Sequence, residues 1–414
     1  MHRGLWRIGL VLGILCGGAA AQSIETVVYS FGGYENDGAG PTGGVLFDKS
    51  GNIFGVTPTG GMFCTQDSGC GTVFELSPSA TGWTEQVLYN FCTTGNQYTC
   101  PDGSLPYAGL ISDSSGNLYG TTTYGGTGTY GTVFRLSPPP NGIGAWTENV
   151  LWNFERGKKN NGGSPEYGRL NMDATGNLYG TTGFGGASGV GTVFELSPTG
   201  TGTYDFSILH SFAGPDGSHP GYGVAIDKSG NLYGTTCYGG PANSGVVYEL
   251  TQANGAWTET VLYHFNGKSG ANPLSSISFD EAGNLYGTFE NAGIGDCALG
   301  ACGGVFKLVT QSGINDQEYS YQFDGQDGGN PPAGVLVDAG TGSVFGTSWN
   351  GGPGNVFQLR GRTENVLYQF CSLPDCSDGR YPSFGTIVEH SEQLYGETGS
   401  GGVYDEGVVY SISK

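Results

Sequence analysis

Carboxylates and aromatic rings are the residues of this chain whose types and spacing point to chemistry. A motif of the form DGxxP occurs five times, as DGAGP (37–41), DGSLP (102–106), DGSHP (216–220), DGGNP (327–331) and DGRYP (378–382). Asp102, Asp216 and Asp378 are the candidate acid or base groups for glycoside chemistry, which runs on paired carboxyls. Ca2+ is the one metal such oxygen-rich loops would take, and no other cofactor or metal is expected. The competing reading is an Asp-Gly turn stiffened by the proline. Because the motif repeats and a catalytic pair need not, the turn reading carries more weight.

Aromatic side chains recur beside these loops. Tyr124, Phe184, Tyr238 and Trp349 each precede a GG or related loop, and Tyr107, Tyr167, Tyr222 and Phe384 follow the loop region at the start of the next unit. Rings with polar neighbours suit the apolar faces of sugars, so these eight, with the three Asp residues, form the candidate ligand-binding set. Their ordinary alternative is packing between repeats. Histidine adds little: His210 and His264 fall in strand patterns, and His219 and His390 have no evident partner in the sequence. No HExxH, GxSxG or GxxxxGK[ST] motif is present.

The elements that must position these residues are repeated seven times. The repeat is clearest in GNIFGVT (51–57), GNLYGTT (116–122, 176–182 and 230–236), GNLYGTF (283–289), GSVFGTS (342–348) and EQLYGET (392–398). Each is preceded by an acidic residue: Asp48, Asp113, Asp173, Asp227, Asp280, Asp338 and Glu389. A fixed unit with length variation confined to Gly-rich gaps marks a repeat fold. Each unit holds four strand-like runs, exemplified by 109–113, 117–124, 131–137 and 146–154. Consecutive apolar pairs such as Leu118-Tyr119 require burial on both sheet faces. The expected fold is therefore all-β, a seven-bladed β-propeller with four antiparallel strands per blade; an open solenoid is the alternative.

The chain ends argue for closure. The last unit stops after its third strand, at GVVYSISK, whereas ETVVYSF (25–31) precedes any unit and matches the fourth strands TEQVLYNF, TENVLWNF, TETVLYHF and TENVLYQF. The N-terminal strand is thus expected to complete the last blade, which an open solenoid would not need.

Residues 1–21 carry Arg3 and Arg7, then an apolar run ending in small residues, and read as a signal peptide cut after Ala21. Residues 22–414 then form a single β-propeller domain without a transmembrane segment. The expected location is secreted, periplasmic or cell-surface. Eight of the remaining cysteines lie in close pairs, Cys64/Cys70, Cys92/Cys100, Cys297/Cys302 and Cys371/Cys376, expected to be disulfides stapling one face; Cys237 is left as a buried thiol. A net charge of −21 argues against nucleic acid as a partner and leaves polysaccharide or an extracellular protein.

Units such as GNLYGTTTYGGTGTYGTVFRLSP and GNLYGTTGFGGASGVGTVFELSP resemble the GloVer tandem repeat of bacterial exported proteins. Blade grammar is also similar to that of kelch repeats, with Trp83, Trp146 and Trp257 opening fourth strands. The resemblance implies a propeller and export, and brings no activity with it. The resulting expectation is an exported noncatalytic binding module that recognises a glycan or extracellular partner through the stapled face. A carbohydrate-active hydrolase or lyase and a structural cell-envelope protein are the alternatives.

Overall fold

A computed structural model describes residues 23–414 except 35, 63–68, 93, 156–160, 201, 269, 292–301, 311–315 and 350–351, together with the backbone alone of 316–320. The segment read as a signal peptide lies outside the described residues. Seven antiparallel sheets, each with a four-stranded path, follow one another along the chain. In the first blade the strands run, from the channel outward, Thr42–Phe47, Ile53–Thr57, Thr72–Ser79 and Gly82–Asn90. The second blade repeats this with Ile111–Ser112, Leu118–Thr122, Thr129–Ser137 and Thr147–Glu155.

The last blade is closed as the sequence implies. Glu25–Ser30 pairs antiparallel with Val408–Ser413, and Phe31 N–H donates to the Gly407 carbonyl at 3.0 Å. The packing confirms that the ring is continuous. The Phe ending each fourth strand meets, edge to face, the third-strand aromatic of the following blade: Phe91 on Phe134 at 5.1 Å, Phe154 on Phe194 at 5.4 Å and Phe370 on Tyr410 at 4.9 Å. Phe31 does the same to Phe74 of the first blade at 5.0 Å. Each such pair contributes about 0.5–1.5 kcal/mol beyond the area it buries, so closure is built from side chains as well as strand pairing.

These third-strand rings explain the glycine inside GNLYGTT, which is no turn residue. Gly120 pairs across from Phe134, Gly180 from Phe194 and Gly346 from Phe357. A Cβ at any of the three would overlap the facing ring. The acidic residue before the strand, in contrast, is a turn device. Asp113 Oδ1 accepts from the N–H groups of Ser115 and Asn117 at 2.8 and 3.0 Å, and Oδ2 from Asn117 Nδ2 and the Tyr119 hydroxyl. The seventh copy corrects the alignment by one residue. Val388 pairs with Tyr395 as Ile111 pairs with Tyr119, so His390, not Glu389, occupies the Asp position. His390 stacks on Phe47 at 4.1 Å, and Glu389 accepts from Lys414 Nζ at 2.7 Å.

Candidate functional site

The loops after the second strands and those leading into the next blade share one face. Gly38 of an inter-blade loop pairs with Gly60 of a second-to-third-strand loop, and Gly162 with Gly185. Disulfides Cys92–Cys100 and Cys371–Cys376 staple this face. Cys70 and Cys302 are also disulfide-bonded, while Cys64 and Cys297 lie outside the described residues. The Cys70, Cys92 and Cys100 sulfurs lie within 4.8 Å of one another, so two staples abut. Among the described residues they are the one close trio of metal-ligating atoms, and their oxidation leaves no thiolate for a metal.

The DGxxP carboxylates sit at blade junctions. Asp102 Oδ2 accepts from the Tyr89 hydroxyl at 2.9 Å and from Cys92 N–H at 3.0 Å. Asp378, fully buried, accepts from Tyr368 at 2.7 Å and from Ser372 N–H at 2.8 Å. Asp216 meets His210 Nε2 at 3.0 Å and Ala213 N–H at 2.8 Å. Their oxygens hold loops by accepting from N–H and O–H donors. Facing several of them is a carboxyl that the sequence reading passed over. Burial, reinforced by Asp102, pushes Glu148 up to about 8. Burial also lifts Glu25 and Glu259 to about 7, reinforced by Asp378 and Asp216 respectively. Each of these three Glu residues has an oxygen sealed from water without a hydrogen-bond partner. The signal was present as the Glu that recurs near the start of fourth strands, in TENVLWNF, TETVLYHF and ETVVYSF.

Five of the eight candidate aromatics converge. Tyr167, Tyr222, Tyr238, Trp349 and Phe384, from blades three, four, six and seven, line a cup of about 370 Å3 on the stapled face. Tyr167 and Phe384 approach to 4.3 Å between ring centroids, Tyr222 stacks on Tyr167 at 5.8 Å, and Trp349 meets Phe384 edge-on at 5.3 Å. The remaining three stand outside the cup. Tyr107 buttresses Tyr167 at 5.5 Å, Tyr124 packs on Tyr98 at 5.4 Å, and the half-exposed Phe184 leans on His219 at 5.0 Å.

The acidic and imidazole side chains of the cup are Glu166, His219 and Glu290, none of them in the candidate set, and Asn330 lines it as well. His219, which lacked a partner in the sequence, lies 3.0 Å from Glu166 Oε2 through its Nε2. That hydrogen bond raises the imidazole pKa against the opposing effect of burial. Burial raises Glu290 as well. Cys237 lies in the same wall, its thiol pushed up to about 11 by burial and therefore protonated at neutral pH. Glu166 and Glu290 could have been found as breaks in the repeat: an acid inserted at SPEYG (164–168), and GTFENAG where other copies read GTTTYGG.

Beneath the cup lies a second chamber of about 430 Å3. Tyr167, Tyr222, Leu274 and Phe384 line both spaces and so form a partition between them. Arg169 is the only charged side chain among the described residues lining the lower chamber.

The sequence profile of the Gloeobacter/Verrucomicrobia repeat matches residues 12–166 and 100–300. A search of curated proteins gives no match. Among solved structures, a protein of unknown function from Dyadobacter fermentans is similar at 12% identity, covering 94% of this chain and 96% of that one, with a TM-score of 0.44. Trypanosoma rangeli sialidase in complex with the inhibitor DANA is similar at 11% identity and a TM-score of 0.46, over 94% of this chain and 59% of the sialidase. Neither similarity bears on what this chain does.

Proposed function

The chain belongs to the Gloeobacter/Verrucomicrobia repeat family, and we propose that it is an exported binding module that takes a glycan in the aromatic cup of its stapled face. The observation that carries this reading is the convergence of five aromatic side chains on one 370 Å3 cup rimmed by Glu166, His219 and Glu290. Ring faces supply apolar area for sugar C–H groups, and the acids and imidazole supply hydrogen bonds to hydroxyls. Disulfides on the same face fit an oxidising compartment.

The test is retention of purified, oxidised residues 22–414 by a polysaccharide panel, with and without Ca2+. Tyr238→Ala and Trp349→Ala should each weaken a positive interaction by about tenfold or more. A panel without any retention, or retention indifferent to both variants, refutes the reading.

One observation favours hydrolysis as a second reading. Glu290, whose pKa is raised by burial, and Glu166, hydrogen-bonded to His219, line the same cup, which places two carboxyls beside any glycoside held there. Release of reducing sugars from the same panel, lost in Glu290→Gln, would establish it; no release from a bound polysaccharide would exclude it for that ligand.

A further inference from the structure

The row of residues just before the buried apolar side chain of each inner strand decides what the lower chamber presents. That apolar residue is Val45, Leu110, Leu170, Val224, Ile277, Val335 or Ile387, and all seven are buried. The residue before it is Gly44, Gly109, Gly223 or Gly334 in four blades, and Arg169, Ser276 or Thr386 in the other three. Four blades therefore contribute no side chain at this level, which leaves the chamber open. The three that do contribute one present only hydrogen-bond donors of the guanidinium and hydroxyl types, and all three line the same space.

Arg169 has no ion pair or hydrogen bond to any described residue, and its Nε is sealed from water without a partner. The surrounding wall lowers its pKa to about 10, so it stays charged at neutral pH. A guanidinium with no partner among the described residues is costly where its Nε is sealed from water, and it stands out in a chain of net charge −21. A Cβ built at Gly334 would lie 2.8 Å from Thr386 Oγ1 and 3.1 Å from Ser276 Oγ, so the two hydroxyls flank one point of the wall. Neither hydroxyl bonds to another described residue. The remaining lining is mixed, with Val224, Val335 and Ile387 beside Asn171 and Ser275.

We propose that the chamber beneath the aromatic partition is a binding site for a small organic carboxylate, with Arg169 holding the carboxylate and Ser276 and Thr386 donating hydroxyl hydrogen bonds to the ligand. Arginine matches a carboxylate as a planar fork. The volume lies in the range of small-molecule sites, about 300–1,000 Å3, and the apolar wall favours an organic anion over a bare inorganic one. Tyr167, Tyr222 and Phe384 stand between this site and the cup above, so the ligand proposed here is a small free molecule and not a chain threaded through both spaces.

The experiment is isothermal calorimetry and thermal melting of the oxidised mature chain with sodium glucuronate and sodium acetate as probes, against glucose, sodium phosphate and polygalacturonate. Glucuronate or acetate should bind saturably and raise the melting temperature, with glucose inert. Arg169→Met should weaken binding by about tenfold or more, since a charge-assisted bond is lost, and should melt no lower than the parent without ligand. Gly334→Val, which fills the space between the two hydroxyls while keeping the charge, should also abolish binding. No response to either carboxylate, an equal response in both variants, or a response to phosphate or polygalacturonate alone overturns the proposal.

Discussion

Replacing Glu397 with Gln should remove a large part of the pH dependence of this protein's stability. Glu397 lies in the second strand of blade seven, where other blades place Thr121, Thr181, Thr235, Thr288 and Thr347. It is buried; Oε2 accepts from Gly44 N–H at 2.9 Å, and Oε1 has no partner. Burial pushes its pKa from 4.5 up to about 8. The folded state therefore binds this proton more tightly than the unfolded state. Its stabilising contribution is complete below about pH 4.5 and disappears as pH rises through about 8. At about 1.4 kcal/mol per decade, the contribution falls by roughly 4 kcal/mol between pH 5 and pH 9. Urea unfolding of the oxidised chain at the two pH values, followed by tryptophan fluorescence, measures it. The parent should lose roughly 4 kcal/mol more than Glu397→Gln over this interval. Parallel losses in the two proteins would refute the argument that this carboxyl is held protonated by burial.

The carboxyls at the blade junctions act in the same direction. Glu25, Glu148 and Glu259, raised to about 7 or 8, should make the chain more resistant to urea at pH 5–6 than at pH 8, and Glu148→Gln should reduce that difference. Asp113 and Asp173, whose pKa values are lowered, set the opposite limit: their contribution is lost as pH falls below the ordinary carboxylate range, so acid titration should show a stability maximum and not a continued rise. Phe31→Ala should cost about 3–5 kcal/mol by emptying the contact with Phe74 at the ring closure; an unchanged urea midpoint would mean that the first and last blades are not locked together. Gly346→Ala should cost about 1–3 kcal/mol by driving a methyl group into the Phe357 ring, and an unchanged melting temperature would refute that packing account.

Much of this protein is legible in its sequence. Seven copies of one strand grammar, with a strand-four fragment at the N-terminal end and a missing strand four at the other, specified a closed ring, because only closure satisfies both ends. Cysteine spacing placed the Cys92–Cys100 and Cys371–Cys376 staples, and the loop order placed them on one face. Local patterns suffice there, since turns and the pairing within a blade are decided by near neighbours in sequence, and the closing pair of Glu25–Ser30 with Val408–Ser413 repeats the same strand pattern. They also explain why the aromatics flanking the loops were recognisable while their fates were not. Tyr124 and Tyr238 occupy equivalent positions, yet Tyr124 packs on Tyr98 and Tyr238 lines the cup. Which of them met depended on distances across the channel, between blades far apart in the chain. The polar chemistry was hidden for a related reason. Glu166, Arg169, Ser276, Glu290 and Thr386 are departures from a repeat whose regularity masks them. A repeat determines the scaffold because every copy must pair and bury in the same way. Only the ring, by bringing blades three, five and seven around one axis, gave those departures a common space to face.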